Sequence, residues 1–177
     1  MRYPPAETAA KHQKILDAAA RLFRERGFGV SVSEIMKATG LTHGPFYNHF
    51  ASKEALIAEC FAHAAGQKLV EQAEASRTPE GRAAWADAYL SAEHRDQPGE
   101  GCLLAALAGD AAREPAVRPE LTAYLKETLN RGEAVAPRDE VLRRAAMMVG
   151  AVILARAVED AELSAELLAA ARKGVPQ

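Results

Sequence analysis

The chain has little that would place it in a membrane or cross-link it covalently. No run of about 18 apolar residues occurs in its 177 residues, so a membrane-spanning helix is not expected. The opening MRYPPAETAAKHQK lacks the apolar core of a secretion signal, and a cytoplasmic location is expected. Cys60 and Cys102 form neither a CxxC pair nor a disulfide framework, which fits a reducing compartment. Aromatic residues are scarce and alanine is abundant, a composition suited to closely packed helices. There is no Gly-rich phosphate loop, no G-x-S-x-G, no H-E-x-x-H and no compact His/Asp/Ser grouping. An enzyme is therefore not expected; a catalyst would have to assemble His94, Cys102 and Asp110 from separate helices. No cofactor is expected. Cys60 and His63 lie three apart, but the distance to His94 and Cys102 is long and unpatterned, so no metal site is expected either.

Charge is present but unevenly placed. The formal net charge is only −2. Residues 1–53 hold eight Lys/Arg against four Asp/Glu, a net of +4, and the remainder holds fourteen against twenty, a net of −6. A basic head on an acidic body suggests two jobs, with nucleic acid at the N-terminal end.

The periodicity is helical almost throughout, with no strand alternation, and predicts an all-α fold of about nine helices. A first helix runs from about Thr8 to Arg26, with Ile15, Ala18, Ala19, Leu22 and Phe23 in one stripe and Gly27 as its stop. Ser33 is expected to cap a second helix, EIMKAT, ending at Gly40. Thr42 is expected to cap a third, His43 to His49, and Ser52 a long fourth reaching Ala75. A fifth spans about Glu80 to Ala92, followed by the loop HRDQPGEG. A sixth begins near Cys102, and a seventh centres on Leu121 to Leu129. The eighth and ninth, about Asp139 to Glu159 and Ser164 to Lys173, close the chain.

The stretch GLTHGPFYNHFASKE, Gly40 to Glu54, packs three aromatic rings, two histidines, a Gly-Pro pair and a lysine into one segment. Helix, short turn, helix is the spacing of a helix-turn-helix. Phe46 and Phe50, four apart, share one face and plug a small core. Thr42, Pro45, Asn48 and His49 then lie on the opposite face, suited to a DNA major groove. Gly44 allows close approach, and Pro45 sits where its missing N–H costs nothing and offers an apolar edge to a thymine methyl. Asn48 can read a base edge. Thr42, Tyr47, His49 and Lys53 carry donors for phosphates. The N-termini of the second and fourth helices, the former at Ser33, would add their dipoles.

SVSEIMKATGLTHGPFYNHFASKEAL resembles the DNA-binding motif of the TetR (tetracycline repressor) family of bacterial transcriptional regulators. The matching elements are the small polar residue before the second helix, its Ile and Gly, the G-x-[ST]-x-G turn, the Tyr of the third helix, the His-Phe pair and the following Ser-Lys-Glu. Two positions depart from the family pattern: Pro45, where Thr, Ala or Ser is usual, and His43, where Lys is common. The resemblance covers about residues 10–57. It implies a three-helix DNA-binding domain, residues 8–51, joined by a long helix to a ligand-sensing and dimerisation domain, residues 52–177.

One such motif reads only a few base pairs, so two copies about one DNA turn or a multiple of it apart, and hence a homodimer, are expected. The last two helices are rich in small residues that let helices approach closely, and the resemblance assigns them the dimer contact. The candidates are Val141, Ala145, Met148, Val149, Val152, Leu163 and Leu167. The resemblance also implies a pocket for an unidentified small-molecule effector, with Phe61, Trp85, Tyr89, Cys102, Leu103, Leu107 and Tyr124 as candidate lining. Cys102 stands at an expected helix N-terminus, where a thiol sensor and a plain core residue are both open readings. The function expected is a repressor that binds a palindromic double-stranded operator and is released by its effector through movement of the fourth helix. The rivals are an all-helical enzyme and a module that binds another protein through the third helix.

Overall fold

The computed structural model describes residues 5–42, 46–63 and 77–175, and these are helical with short connections. Helix α1, Pro5–Arg26, buries Ile15, Ala19, Leu22 and Phe23 as one stripe, as the spacing predicts. It stops where Gly27 turns left-handed (φ 74°) and donates its N–H to the Phe23 carbonyl at 2.7 Å. Helix α2, Val32–Thr39, ends at Gly40, also left-handed (φ 70°), whose N–H returns to the Lys37 carbonyl. Helix α3, Phe46–His49, is followed by α4 over residues 53–63. Ser52 caps α4 as expected, its Oγ accepting from the Ala55 N–H at 3.1 Å.

The body comprises α5 (Pro79–Tyr89), α6 (Ala92–Asp96), α7 (Leu103–Arg113), α8 (Arg118–Glu133), α9 (Arg138–Ala157) and α10 (Ala161–Gly174). The expected reach of the fourth helix to Ala75 lies outside the described residues. Elsewhere the structure departs from expectation at HRDQPGEG, which is not an open loop. It holds most of α6, capped by Ser91, and a 3-10 turn at Pro98–Glu100. Tertiary contacts make that segment regular: the Arg156 guanidinium reaches the carbonyls of His94 and Arg95 at 2.7 and 2.9 Å.

Two apolar clusters hold the chain together. The first gathers the buried faces of α1 to α4 and runs on without a break into Leu103, Leu104, Leu107 and Ala111 of α7. The second packs α9 on α10 and α5 through Met148, Val152, Ala155, Leu168 and Ala86. Polar bonds cross between head and body as well. The Phe28 N–H donates to Asp110 Oδ2 at 3.0 Å, and Arg24 Nε donates to the Gly99 carbonyl at 2.5 Å.

Candidate nucleic-acid interface and effector cavity

The N-cap of α2 is Ser31, not Ser33: Ser31 Oγ accepts from the Glu34 N–H, and Glu34 Oε2 accepts from the Ser31 N–H at 2.8 Å. This reciprocal capping box uses the S-x-x-E spacing, whereas Ser33 stands only one residue before Glu34. Ser33 is an exposed residue inside the first turn. The Ser31 amide and hydroxyl, with the Arg26 guanidinium, pull the Glu34 carboxyl down to about 2. Two first-turn amides are thereby occupied, which leaves α2 less to offer an anion than its dipole alone suggests.

Helix α3 is anchored by rings. Phe46 and Phe50 are buried at 0% and 3% exposure, 5.6 Å apart. Tyr47, edge-on to Phe46 at 5.1 Å, is 66% exposed, and Asn48 is exposed beside it. Thr42 is exposed too, while His43, Gly44 and Pro45 lie outside the described residues. Two expected phosphate ligands are engaged within the head. Lys53 Nζ donates to the Phe28 carbonyl. His49 is half-buried, its ring 5.8 Å from that of His12, which stacks on Phe50 at 4.4 Å. Burial, and then the His12 and Lys11 charges, lower the His49 pKa from 6.5, which disfavours an imidazolium at neutral pH.

The body contains a cavity of about 370 Å³ between α5, α7, α8 and α9. Of the expected lining, Trp85, Tyr89, Cys102 and Tyr124 are there. Phe61, Leu103 and Leu107 are not; they are buried in the first cluster, and Leu104 reaches the cavity instead. His94 braces the wall, its Nδ1–H assigned as donor to the Tyr89 carbonyl at 2.6 Å and Nε2 as acceptor from the Cys102 N–H at 2.9 Å. Burial raises the phenol pKa of both Tyr89 and Tyr124. Cys60 is buried on the head side, its thiol pushed up to about 12 by desolvation, and His63 pairs with Asp17 at 3.2 Å. Among the described residues no group of three His, Cys, Asp or Glu is placed to hold a metal ion.

The expected dimer residues are redistributed. Val141, Met148 and Val152 are buried in the subunit's own core, and Ala145 and Val149 border the cavity. Leu167 packs on the second cluster. Leu163 is exposed, and so are Leu142, Ile153 and Leu154 of α9. On a 3.6-residue helix, Leu142, Ala146, Ile153 and Leu154 fall on the side opposite Met148, Val152 and Ala155.

Residues 15–60 match the profile described as "Bacterial regulatory proteins, tetR family". The head is therefore similar to the DNA-binding part of that family. Curated relatives are similar over the same head. They include the uncharacterised HTH-type transcriptional regulator YvdT of Bacillus subtilis, 44% identical over 54 residues, 30% of this chain and 28% of that protein. The HTH-type transcriptional repressor KstR2 of Rhodococcus jostii is 39% identical over 64 residues, 33% of this chain and 31% of its own. The chain thus spans about three-tenths of the length of these relatives. The likeness in fold extends further. A TetR-family regulator from Agrobacterium tumefaciens superposes with a TM-score of 0.76 at 20% identity, covering 96% of this chain and 100% of that one. One from Chloroflexus aurantiacus gives 0.74 at 26%, covering 95% of each. No helix among the described residues is long and apolar enough to cross a membrane.

Proposed function

We propose that the protein is a cytoplasmic, effector-responsive transcriptional repressor that binds a palindromic operator as a homodimer. The observation that carries this reading is the exposed pair Tyr47 and Asn48 on α3, held outward by the buried Phe46 and Phe50. Asn48 reads a base edge and Tyr47 sets register on a phosphate, the division of labour expected of a major-groove helix. Thr42 is exposed and joins the contact residues, and the sequence adds His43, Gly44 and Pro45 as further candidates.

The second copy docks on the apolar side of α9 and α10 marked by Leu142, Ile153, Leu154 and Leu163. An effector in the cavity reaches the head by a short route. The wall residues Glu100, Gly101 and Cys102 follow Gly99 directly in the chain, and Gly99 accepts the hydrogen bond from Arg24 of α1. A preference of about 5.5 kcal/mol for the released state would turn a mostly bound population into a mostly free one. Movement of the fourth helix is the expected output of that shift.

The test is selection of binding sites from a random duplex library at about 0.15 M salt, with wild type and Tyr47→Ala in parallel. Wild type is expected to enrich a palindrome and Tyr47→Ala to bind all sequences more weakly. Asn48→Ala is expected to relax one position by about 1–3 kcal/mol. If the two variants kept wild-type affinity and specificity, α3 would not be the reading helix.

A further inference from the structure

The charged side chains on the described wall of the cavity are already answered by the protein itself. Arg131 pairs with Glu127 at 3.0 Å, and Arg144 pairs with Glu140 at 2.6 Å. Arg82 is not free either. Glu100 is exposed, and its carboxylate lies close to the Arg24 guanidinium. The neutral polar groups are engaged in the same way. His94 uses both ring nitrogens, on the Tyr89 carbonyl and the Cys102 N–H. The Tyr89 hydroxyl has the Cys102 thiol as its hydrogen-bond neighbour, and Thr128 Oγ1 donates back to the Tyr124 carbonyl at 2.9 Å.

A charged molecule entering this space would give up water without gaining a counter-charge, which disfavours either sign. The same loss of water raises the phenol pKa of Tyr89 and Tyr124 on the wall. Apolar surface and rings are what remain to meet a ligand. Leu104, Leu129, Val141, Met148 and Val149 supply the first. The chain has one tryptophan and four tyrosines, and the tryptophan and two of the tyrosines meet at this one cavity. Trp85, Tyr89 and His94 stand in a row there, with centroids 5.1 and 4.6 Å apart.

We propose that the cavity takes a small uncharged aromatic molecule. The rings of Trp85, Tyr89 and Tyr124 meet its faces and edges, and the aliphatic side chains cover the rest of it. This rests on the reading of the cavity as the effector site.

Trp85 lines the cavity, so its fluorescence reports occupancy. Three probes share one skeleton and differ in charge: 3-phenylpropan-1-ol, 3-phenylpropanoate and 3-phenylpropylammonium, titrated at pH 7 and equal ionic strength. The alcohol is expected to bind at least about tenfold more tightly than either ion. The saturated 3-cyclohexylpropan-1-ol is expected to bind about two- to tenfold more weakly than its aromatic counterpart. Ala145→Met, which fills the cavity from α9, should weaken the alcohol about tenfold. Should that variant fail to fold, Thr128→Leu fills it from α8 to the same end. An ion that binds as well as the alcohol would overturn the proposal, as would a saturated ring that binds as well as the aromatic one. So would an alcohol that does not saturate by about 10 mM, or one whose Kd a folded cavity-filling variant leaves unchanged. Release of the selected operator DNA is followed in the same titrations. An alcohol that binds selectively yet leaves DNA bound would support the ligand class and remove the effector reading. Release by either ion as readily as by the alcohol would overturn the ligand class and keep the effector reading.

Discussion

Gly27 joins α1 to the link before α2 at the seam between head and body, and replacing it with alanine should be far more damaging than the same change at Gly40. Both glycines are left-handed, at φ 74° and 70°, so each pays about 1–2 kcal/mol for a side chain there. The surroundings differ. A Cβ at Gly40 meets nothing within 4 Å, whereas one at Gly27 runs into Asp110 Oδ2. That oxygen accepts the Phe28 N–H, so Asp110 must move and give up the bond, at about 1–3 kcal/mol more. Gly27→Ala should therefore cost about 2–5 kcal/mol in all, a fall of roughly 5–13 °C in Tm for a chain of this size, against about 1–2 kcal/mol for Gly40→Ala. Urea denaturation followed by circular dichroism, with the same substitutions in an Asp110→Ala background, separates strain from collision. In that background the two glycine changes should cost the same. Equal losses in the wild-type background would refute the account of the seam.

Ser31→Ala should destabilise the head by about 1 kcal/mol, while Ser33→Ala stays within about 0.5, and denaturation midpoints of the two variants check it. The Glu34 carboxyl is held below its ordinary value, so its contribution is present above pH 4.5 and is lost as pH falls toward about 2; Glu34→Gln should flatten that part of the stability profile. His49 also has a lowered folded-state pKa, so the unfolded chain takes up its proton first and stability falls as pH drops below about 6.5, a slope that His49→Gln should reduce. Any tightening on DNA from a His49 charge should accordingly appear below pH 6.5 rather than above it. Leu154→Glu, on an exposed position, should leave the melting of the subunit nearly unchanged but halve the mass seen by sedimentation; a dimer that persists would move the contact off this face.

The head was readable because its signals are local. Ile15, Leu22 and Phe23 repeat at helical spacing, Gly27 and Gly40 stop helices where they stand, and Phe46 and Phe50 lie four apart, and each is placed accordingly. The misplaced cap had a signal too, since Ser31 precedes Glu34 by three residues. The engaged state of Lys53 had none, because the Phe28 carbonyl is 25 residues away. In the body, α6 is regular through contacts with Arg156, some 60 residues distant, which no window of sequence contains. Helix α9 is apolar around much of its circumference, so its composition does not say which side meets the core. That is why Val141, Met148 and Val152, chosen for a partner, turn out to be buried at home, and why Arg144 escaped notice as a cavity residue.

The first apolar cluster crosses residue 52 without a break, and this bears on building hybrid regulators. A head excised there and joined to a foreign body would carry Phe23 and Phe28 to a surface they were not shaped for, having left Leu103, Leu107 and Ala111 behind. Its fit to DNA would be intact in sequence and ill-supported in space. A graft that transplants the inward side of α7 together with residues 1–63, including Asp110 for the Phe28 amide, would keep the seam whole and move the specificity with it.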